Sequence, residues 1–124
     1  MHVIRAADAP TFDLPGVRFT ALASPSRGSV ETCAWALTVD PGLVSPEAHT
    51  LDRDEVFLVI DGAIRLAPDG AVVGAGDAVV VPAGEPIQLV NASDRPARVH
   101  VAIRAGFIAT AADGTPVGVP PWAV

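Results

Sequence analysis

The side chains best suited to chemistry stand just ahead of one apolar run. His49 and Glu55 lie on either side of the charged segment Asp52-Arg53-Asp54, and the run 56–60 (VFLVI) follows at once. A carboxylate beside an imidazole in an apolar setting can have a perturbed pKa and act as a base. Glu55, which precedes the run directly, is therefore the best candidate for a catalytic residue. The charged segment itself is typical of a solvated rim, with the arginine stabilising its two acidic neighbours.

The rest of the composition excludes several kinds of chemistry. All eight basic residues are arginine, and the sequence contains neither lysine nor tyrosine. The absence of lysine excludes Schiff-base chemistry, attachment of pyridoxal phosphate and a Walker-type phosphate loop. The net charge of −6 argues against nucleic acid as a partner, because phosphate binding needs a clustered basic surface.

Cysteine content and hydropathy indicate the compartment. Cys33 is the only cysteine, which excludes an intrachain disulfide and a multi-thiolate zinc site, and we expect a buried, inert thiol. No apolar run approaches the roughly 18–20 residues that a membrane span needs. The first residues, MHVIRAADAPTFD, lack the apolar segment of a secretory signal. We therefore expect a cytoplasmic protein without a membrane partner.

Turn signals and short apolar runs alternate along the chain. Pro, Gly and Asp clusters recur about every 8–12 residues, and no stretch shows ten residues of helical periodicity. This pattern predicts an all-β sandwich or barrel, and closure into a barrel is favoured because it removes exposed strand edges. The predicted strands are Val17–Ala23, Glu31–Val39, Val56–Ile60, Ala63–Ala67, Ala71–Gly74, Ala78–Val81, Ile87–Val90 and Ala97–Ile103.

Two stretches resemble the two sequence motifs of the cupin superfamily. In the first, Glu55 is followed by six residues and then Gly62, and Pro41-Gly42 stands near the start of the motif. The framework of the second motif is matched by Gly76, Pro82, Gly84 and Asn91. The resemblance implies a double-stranded β-helix, the jelly-roll barrel of that superfamily.

The resemblance also implies how the chain is organised. It is similar to small single-domain cupins, so residues 1–124 are expected to form one domain with a barrel core at about 30–104. Residues 1–16 would be an N-terminal arm and residues 105–124 an extended C-terminal tail. Trp122 in that tail is expected to dock onto the barrel or a partner chain. Cupins commonly pair through sheet faces, so a homodimer is expected.

The metal site that the resemblance implies is degenerate. Most metal-binding cupins hold a divalent ion with two histidines and the glutamate of the first motif and one histidine of the second. The corresponding residues of this chain are His49, Leu51, Glu55 and Ile87. Two aliphatic side chains replace two imidazoles, and we therefore expect no tightly held Zn, Fe, Mn or Ni.

His100 is the one residue that could restore a third ligand. If Asn91 pairs with Pro96 across the turn between them, Ile87 faces His100 on the same side of the sheet. A one-residue shift reverses that orientation. The alternation of Val99, Val101 and Ile103 favours the shift, which would place His100 outside the barrel. A metal site, if present, would consist of His49, Glu55 and His100.

Three functions follow as hypotheses. The favoured one is a cupin that binds a compact, largely apolar or weakly polar molecule without a tightly held metal. Its predicted pocket residues are His49, Leu51, Glu55, Phe57, Ile87 and Leu89. The alternative is a divalent-metal enzyme of the dioxygenase, isomerase or decarboxylase type. The third is an interaction module in which the barrel serves only for dimerisation and the pocket is collapsed.

Overall fold

The predicted all-β fold is confirmed. The structure, a computed structural model, describes residues 1–124 and contains eleven strands, no α-helix and two 3₁₀ turns at Pro25–Arg27 and Pro121–Ala123. The strands are β1 (Thr11–Leu14), β2 (Val17–Ala23), β3 (Thr32–Val39), β4 (His49–Leu51), β5 (Glu55–Asp61), β6 (Ala63–Ile64), β7 (Val73–Gly74), β8 (Ala78–Val81), β9 (Ala97–Arg104), β10 (Ala109–Ala111) and β11 (Pro116–Gly118).

Six strands form one antiparallel sheet in the order β1-β2-β3-β9-β5-β8. Strand β9 shows why this sheet has one buried and one open face. Ala97, Val99, Val101 and Ile103 are buried, and the residues between them are mostly exposed. Because side chains of a strand alternate between its two faces, the apolar set of β9 points into the barrel along its whole length.

The opposing layer is less regular. It consists of the sheet β11-β10-β4, the hairpin β6-β7 and single bridges that join residues 44, 65 and 90 and residues 49 and 87. Eighteen buried apolar residues, contributed by both layers, form one continuous core. Trp35, Phe57 and Phe107 supply its aromatic part, and each is at most 5% exposed. Such a core between two layers is what an all-β domain of this length needs for stability.

The turn 91–96 connects the two layers. Asn91 is fully buried, and its Nδ2 donates to the carbonyl oxygens of Val39 (3.3 Å) and Arg95 (2.8 Å). Its Oδ1 accepts hydrogen bonds from the backbone N–H (3.1 Å) and the hydroxyl (2.8 Å) of Ser93. One amide side chain thus satisfies the buried polar groups of the crossover.

This crossover corrects the predicted pairing of the Ile87–Val90 segment. Strand β9 pairs with β3 and β5, whereas Ile87 pairs with His49 across the other layer. Ile87 therefore does not lie opposite His100 in any register. The segment forms only isolated bridges, at Ile87 and Val90. Because Pro86 has no backbone N–H to donate, the hydrogen-bonded pairing of this segment with the His49 strand does not extend beyond Ile87 in that direction.

Other strand boundaries also differ from the sequence pattern. The predicted strands 63–67 and 71–74 shrink to the two-residue strands β6 and β7. Four strands were not predicted: β1 in the N-terminal arm, β4 in the polar stretch before Glu55, and β10 and β11 in the tail. These short strands carry little apolar alternation of their own, so their pairing partners decide their conformation.

The C-terminal tail docks onto the barrel, as expected for Trp122. The indole stacks on Phe19 with ring centroids 3.8 Å apart and an interplanar angle of 18°. The carbonyl oxygen of Val124 accepts hydrogen bonds from the hydroxyls of Ser24 (2.8 Å) and Ser26. Cys33 lies beneath this turn, fully buried, and the burial raises the pKa of its thiol. The prediction of a buried cysteine is confirmed.

Candidate functional site

Glu55 is the first residue of β5 and points into the barrel. Within β5, Glu55, Phe57 and Val59 are buried while the residues between them are more exposed. The partners of Glu55 in the neighbouring strands are Val81 and Ile103, which are buried as well. Because directly opposite residues project to the same face of a sheet, the carboxyl group lies among aliphatic side chains.

Burial dominates the electrostatics of this carboxyl group. Glu55 is 3% exposed, and its Oε2 atom is fully enclosed without a hydrogen-bond partner. Desolvation penalises the charged form and raises the pKa of Glu55 to about 8. At neutral pH the group is therefore mostly a protonated carboxylic acid, with one O–H to donate and lone pairs to accept.

His49 lies on the other layer, at the open margin of the site. Two backbone hydrogen bonds of 3.0 and 2.8 Å pair it with Ile87, so the two side chains project to the same face. The residue is exposed on one side, while burial of the remainder of the imidazole lowers its pKa. His49 is thus a neutral imidazole at pH 7, with one donor and one acceptor nitrogen.

The donor set does not fit a divalent metal. Leu51 and Ile87, which are 6% and 2% exposed, stand at two of the four positions where the resemblance implies metal ligands, and they carry no lone pair. No group of three or more His, Cys, Asp or Glu side chains is placed to hold a metal ion. A first-row metal in a protein usually has three or four protein ligands, so His49 and Glu55 are too few.

His100 does not complete the set, which corrects the alternative ligand triad. It is exposed and lies on the outer face of β9, between the buried Val99 and Val101. Its neighbours across the sheet are Ala36 and Leu58 rather than any residue of the β4 layer. The strand alternation that buries the valines necessarily turns this imidazole away from the barrel.

The remaining predicted pocket residues belong to the packed interior. Leu51, Phe57, Ile87 and Leu89 are all part of the hydrophobic core, and none is more than 9% exposed. The structure thus brings Glu55 together with aliphatic and aromatic side chains, and among the six predicted residues only His49 is open to solvent. Access to Glu55 is therefore expected from the His49 side.

The acidic segment before Glu55 has a structural role that sequence reasoning missed. Asp52 and Asp54 are exposed, as predicted for a rim, and Arg53 lies 3.7 Å from the Asp52 carboxylate. In addition, Asp52 Oδ1 accepts the backbone N–H of Ile108 (2.8 Å), and Asp54 Oδ1 accepts that of Ala83 (3.0 Å). These bonds tie the loop between β4 and β5 to both neighbouring loops, and no local sequence signal indicates such distant partners.

Comparison with known proteins was made at the level of sequence and of fold. The family profile described as Cupin domain matches residues 35–103. A search of the curated proteins found no match. The fold search found solved structures of similar architecture. The chain contains no helix with the length and apolar character that a membrane span requires.

Three of these structures illustrate the likeness. The polyketide cyclase RemF from Streptomyces resistomycificus is 18% identical, with a TM-score of 0.75 over 98% of this chain and 88% of that chain. A sugar phosphate isomerase of the cupin superfamily from Silicibacter pomeroyi is 26% identical, with a TM-score of 0.64 over 80% of this chain and 67% of its own.

KdgF from Halomonas sp. is 19% identical, with a TM-score of 0.69 over 82% of this chain and 93% of that one. At such identities the likeness to RemF and KdgF shows the fold alone. The architecture and the matched profile agree with each other and with the motif residues Glu55, Gly62 and Asn91. The chain belongs to the cupin family and has its all-β jelly-roll fold.

Proposed function

We propose that this cupin binds a compact, uncharged molecule at the end of the barrel formed by His49, Leu51, Glu55 and Ile87, without a tightly held metal. The observation that carries the proposal is the enclosed Glu55 Oε2 atom, which has no hydrogen-bond partner in the protein. A buried polar group without a partner costs free energy, and a ligand that bonds to it recovers part of that cost.

The charge state of the site supports an uncharged ligand. Burial raises the pKa of the Glu55 carboxyl group to about 8 and lowers that of His49, which favours the uncharged form of both groups at neutral pH. Leu51 and Ile87 offer no dipoles that could solvate a charge. A small molecule with a hydroxyl or carbonyl group on an apolar body matches both the two polar groups and the aliphatic walls.

The same carboxyl group makes Glu55 the candidate for catalysis. A group that titrates near pH 8 can donate or accept a proton at physiological pH, which suits a general acid or base. Among the similar structures, a polyketide cyclase and a sugar phosphate isomerase bear the names of enzymes. A metal-dependent dioxygenase, isomerase or decarboxylase is the weaker alternative, because His49 and Glu55 alone do not form a metal site.

Phenol, a neutral probe with one hydroxyl group, tests the proposal in an NMR titration of the ¹⁵N-labelled protein. We expect saturable shifts of the amides of His49, Leu51 and Ile87 with a Kd of about 1 mM, the affinity reasonable for so few atoms. Between pH 6.5 and 9.0 the affinity should fall about tenfold as Glu55 loses its proton. In Glu55→Gln, which stays neutral, the affinity should not change with pH over this range.

Two results would speak against this site. Shifts scattered over the surface without saturation would show that phenol has no defined site in the barrel. An affinity with the same pH dependence in the wild type and in Glu55→Gln would show that the carboxyl group takes no part.

We further propose that the outer face of the six-stranded sheet pairs with a second copy of the chain. The central part of this outer face consists of Ala34 and Ala36 of β3, Val56 and Leu58 of β5, Ala78 and Val80 of β8, and His100 and Ala102 of β9. The charged residues of this face lie at its margins, with Arg98 and Arg104 at the two ends of β9 and Arg18 and Asp13 on β2 and β1, and its centre holds small alanines. Leu58 and Val80 are 42% and 61% exposed, which is unusual for apolar side chains on one continuous face.

The total surface supports a second copy as the occupant. The chain exposes 6932 Å², whereas a monomer of its mass typically exposes about 6,200 Å². The excess is in the direction expected of a chain with surface to bury, and a standard interface covers roughly 800 Å² of each partner. A symmetric pair would bring apolar faces of the same composition together.

Sedimentation velocity can test the pairing. We expect the wild type to sediment as a dimer and Leu58→Glu as a monomer, because a two-fold interface would bury the new charge twice. Val117→Glu, a matched change at an exposed valine of β11, should leave the dimer intact. A monomeric wild type, or dimers in both variants, would refute this interface.

A further inference from the structure

A second cleft lies at the opposite end of the barrel from Glu55. It has a volume of about 210 Å³ and is lined by Ala63, Ile64, Arg65, Val72, Ala92 and Ser93. Glu55 is the first residue of β5 and pairs with Ile103 near the end of β9. The cleft residues instead follow the end of β5 and precede the start of β9. The two sites are therefore separated by the length of the sheet.

Arg65 is the one charged residue of this cleft, and it has no acidic partner. The three ion pairs of the protein are Arg18–Asp13, Arg53–Asp52 and Arg95–Asp61. Arg65 Nη1 donates to the carbonyl oxygen of Pro68 at 3.3 Å, while its Nε atom is enclosed and has no partner. A cation in a protein of net charge −6 is thus left without a carboxylate and with a free donor.

Hydrogen bonds hold the backbone of Arg65, which carries the guanidinium, in a defined position. Arg65 N donates to Val90 O (2.8 Å), and Val90 N donates to Arg65 O (2.9 Å), so the residue is held against the segment 87–90. The hydroxyl of Ser93 is engaged with Asn91 Oδ1 and the Arg95 carbonyl oxygen. The other walls are alanine, isoleucine and valine side chains. The cleft therefore combines one positioned, unpaired cation with apolar walls.

We infer that this cleft binds a compact carboxylate with an apolar body, the carboxylate paired with the Arg65 guanidinium. Arginine binds carboxylates through two parallel N–H···O bonds, and its planar donors suit this geometry better than an ammonium group. A volume of about 210 Å³ lies below the range of about 300–1,000 Å³ typical of larger ligands. The ligand class is therefore a small monocarboxylate, distinct from the uncharged molecule proposed for the barrel site.

Sodium benzoate is the probe for an NMR titration of the ¹⁵N-labelled full chain. We expect saturable shifts of the amides of Ala63, Arg65, Val72, Ala92 and Ser93 with a Kd of about 1 mM. Arg65→Gln should weaken binding at least about tenfold, the discrimination that loss of a charged hydrogen bond typically produces. The control Arg95→Gln removes a neighbouring, exposed arginine and should leave the Kd unchanged. Benzamide, which lacks the charge, should bind about tenfold more weakly than benzoate.

A second variant keeps the inference testable if Arg65→Gln impairs folding. Ala92→Leu places extra atoms in the cleft without touching the guanidinium, and it should also abolish the benzoate shifts. Equal affinity of the wild type and either cleft variant would overturn the inference, as would the absence of shifts up to high millimolar benzoate. Shifts confined to His49, Leu51 and Ile87 would assign benzoate to the barrel site and overturn it too. Phenol binding is measured in a separate titration, so the two proposals can fail independently.

Discussion

Glu55→Gln should become more stable relative to the wild type as the pH rises, by about 4 kcal/mol between pH 5 and pH 9. The physical reason is the buried carboxyl group, whose pKa is raised from its ordinary value of 4.5 to about 8 in the folded protein. Glutamine has nearly the same shape and no titrating proton. The difference between the two proteins therefore isolates the contribution of this one group.

The sign of the effect follows from the proton count. Between pH 4.5 and about 8 the folded wild type binds more protons at Glu55 than the unfolded chain does. Its free energy of unfolding therefore decreases as the pH rises through this window and becomes level above it. The stabilising contribution is fully present below pH 4.5 and is lost as the pH passes the folded pKa.

Urea denaturation of both proteins at pH 5, 6.5, 8 and 9 gives the required comparison. Glu85→Gln, a matched change at an exposed loop residue, serves as the control and should follow the wild type at every pH. Stability curves of the wild type and Glu55→Gln that run parallel across this range would show that Glu55 is ionised in the folded protein. The proposal that the site around Glu55 is uncharged at neutral pH would then be wrong.

The double substitution Leu51→His and Ile87→His should create a divalent-metal site. It restores imidazoles at the two ligand positions that this chain fills with aliphatic side chains, beside the existing His49 and Glu55. A set of four donors can complete the coordination of zinc, whereas two donors leave it undefined. We expect zinc affinity at least about 100-fold higher than that of the wild type, because each added ligand is a direct metal bond.

Isothermal titration with Zn²⁺ and Ni²⁺ measures this gain. Adding Glu55→Ala to the double variant should reverse most of it, and each single histidine variant should fall between the wild type and the double variant. A wild-type protein that already takes up stoichiometric metal, and loses it on His49→Ala, would contradict the assignment of a metal-free site.

The recurring turn signals allowed the all-β fold to be predicted, and the position of Glu55 directly before an apolar run made it a candidate for the barrel interior, where the structure buries it. Val99, Val101 and Ile103 mark the buried face of β9, and this pattern also placed His100 outside. Turn residues such as Gly62 bounded the strands, and the structure confirms a positive φ of 75° there. A Cβ atom at position 62 would also lie 2.7 Å from the Pro96 carbonyl oxygen. Glycine is therefore required both by the positive φ and by this close approach.

Features that depend on distant partners could not be predicted. Strand β4 contains the polar residues His49 and Thr50, and it is a strand because β10 pairs with it. The segment 87–90 was expected to pair with β9, whereas it pairs with His49 and Arg65 in the other layer, and the buried Asn91 fixes the change of layer with its hydrogen bonds. The cleft at Arg65 likewise arises where the β6–β7 hairpin meets the turn that contains Ala92 and Ser93, about 20 residues further along the chain.

The most direct test of an uncharged, metal-free barrel site is an NMR titration of the Glu55 side-chain carboxyl carbon, recorded with and without one equivalent of Zn²⁺. We predict a midpoint near pH 8 that zinc does not change. A midpoint near the ordinary value of 4.5, or one that falls when zinc is added, would contradict a protonated carboxyl group that stands apart from any metal.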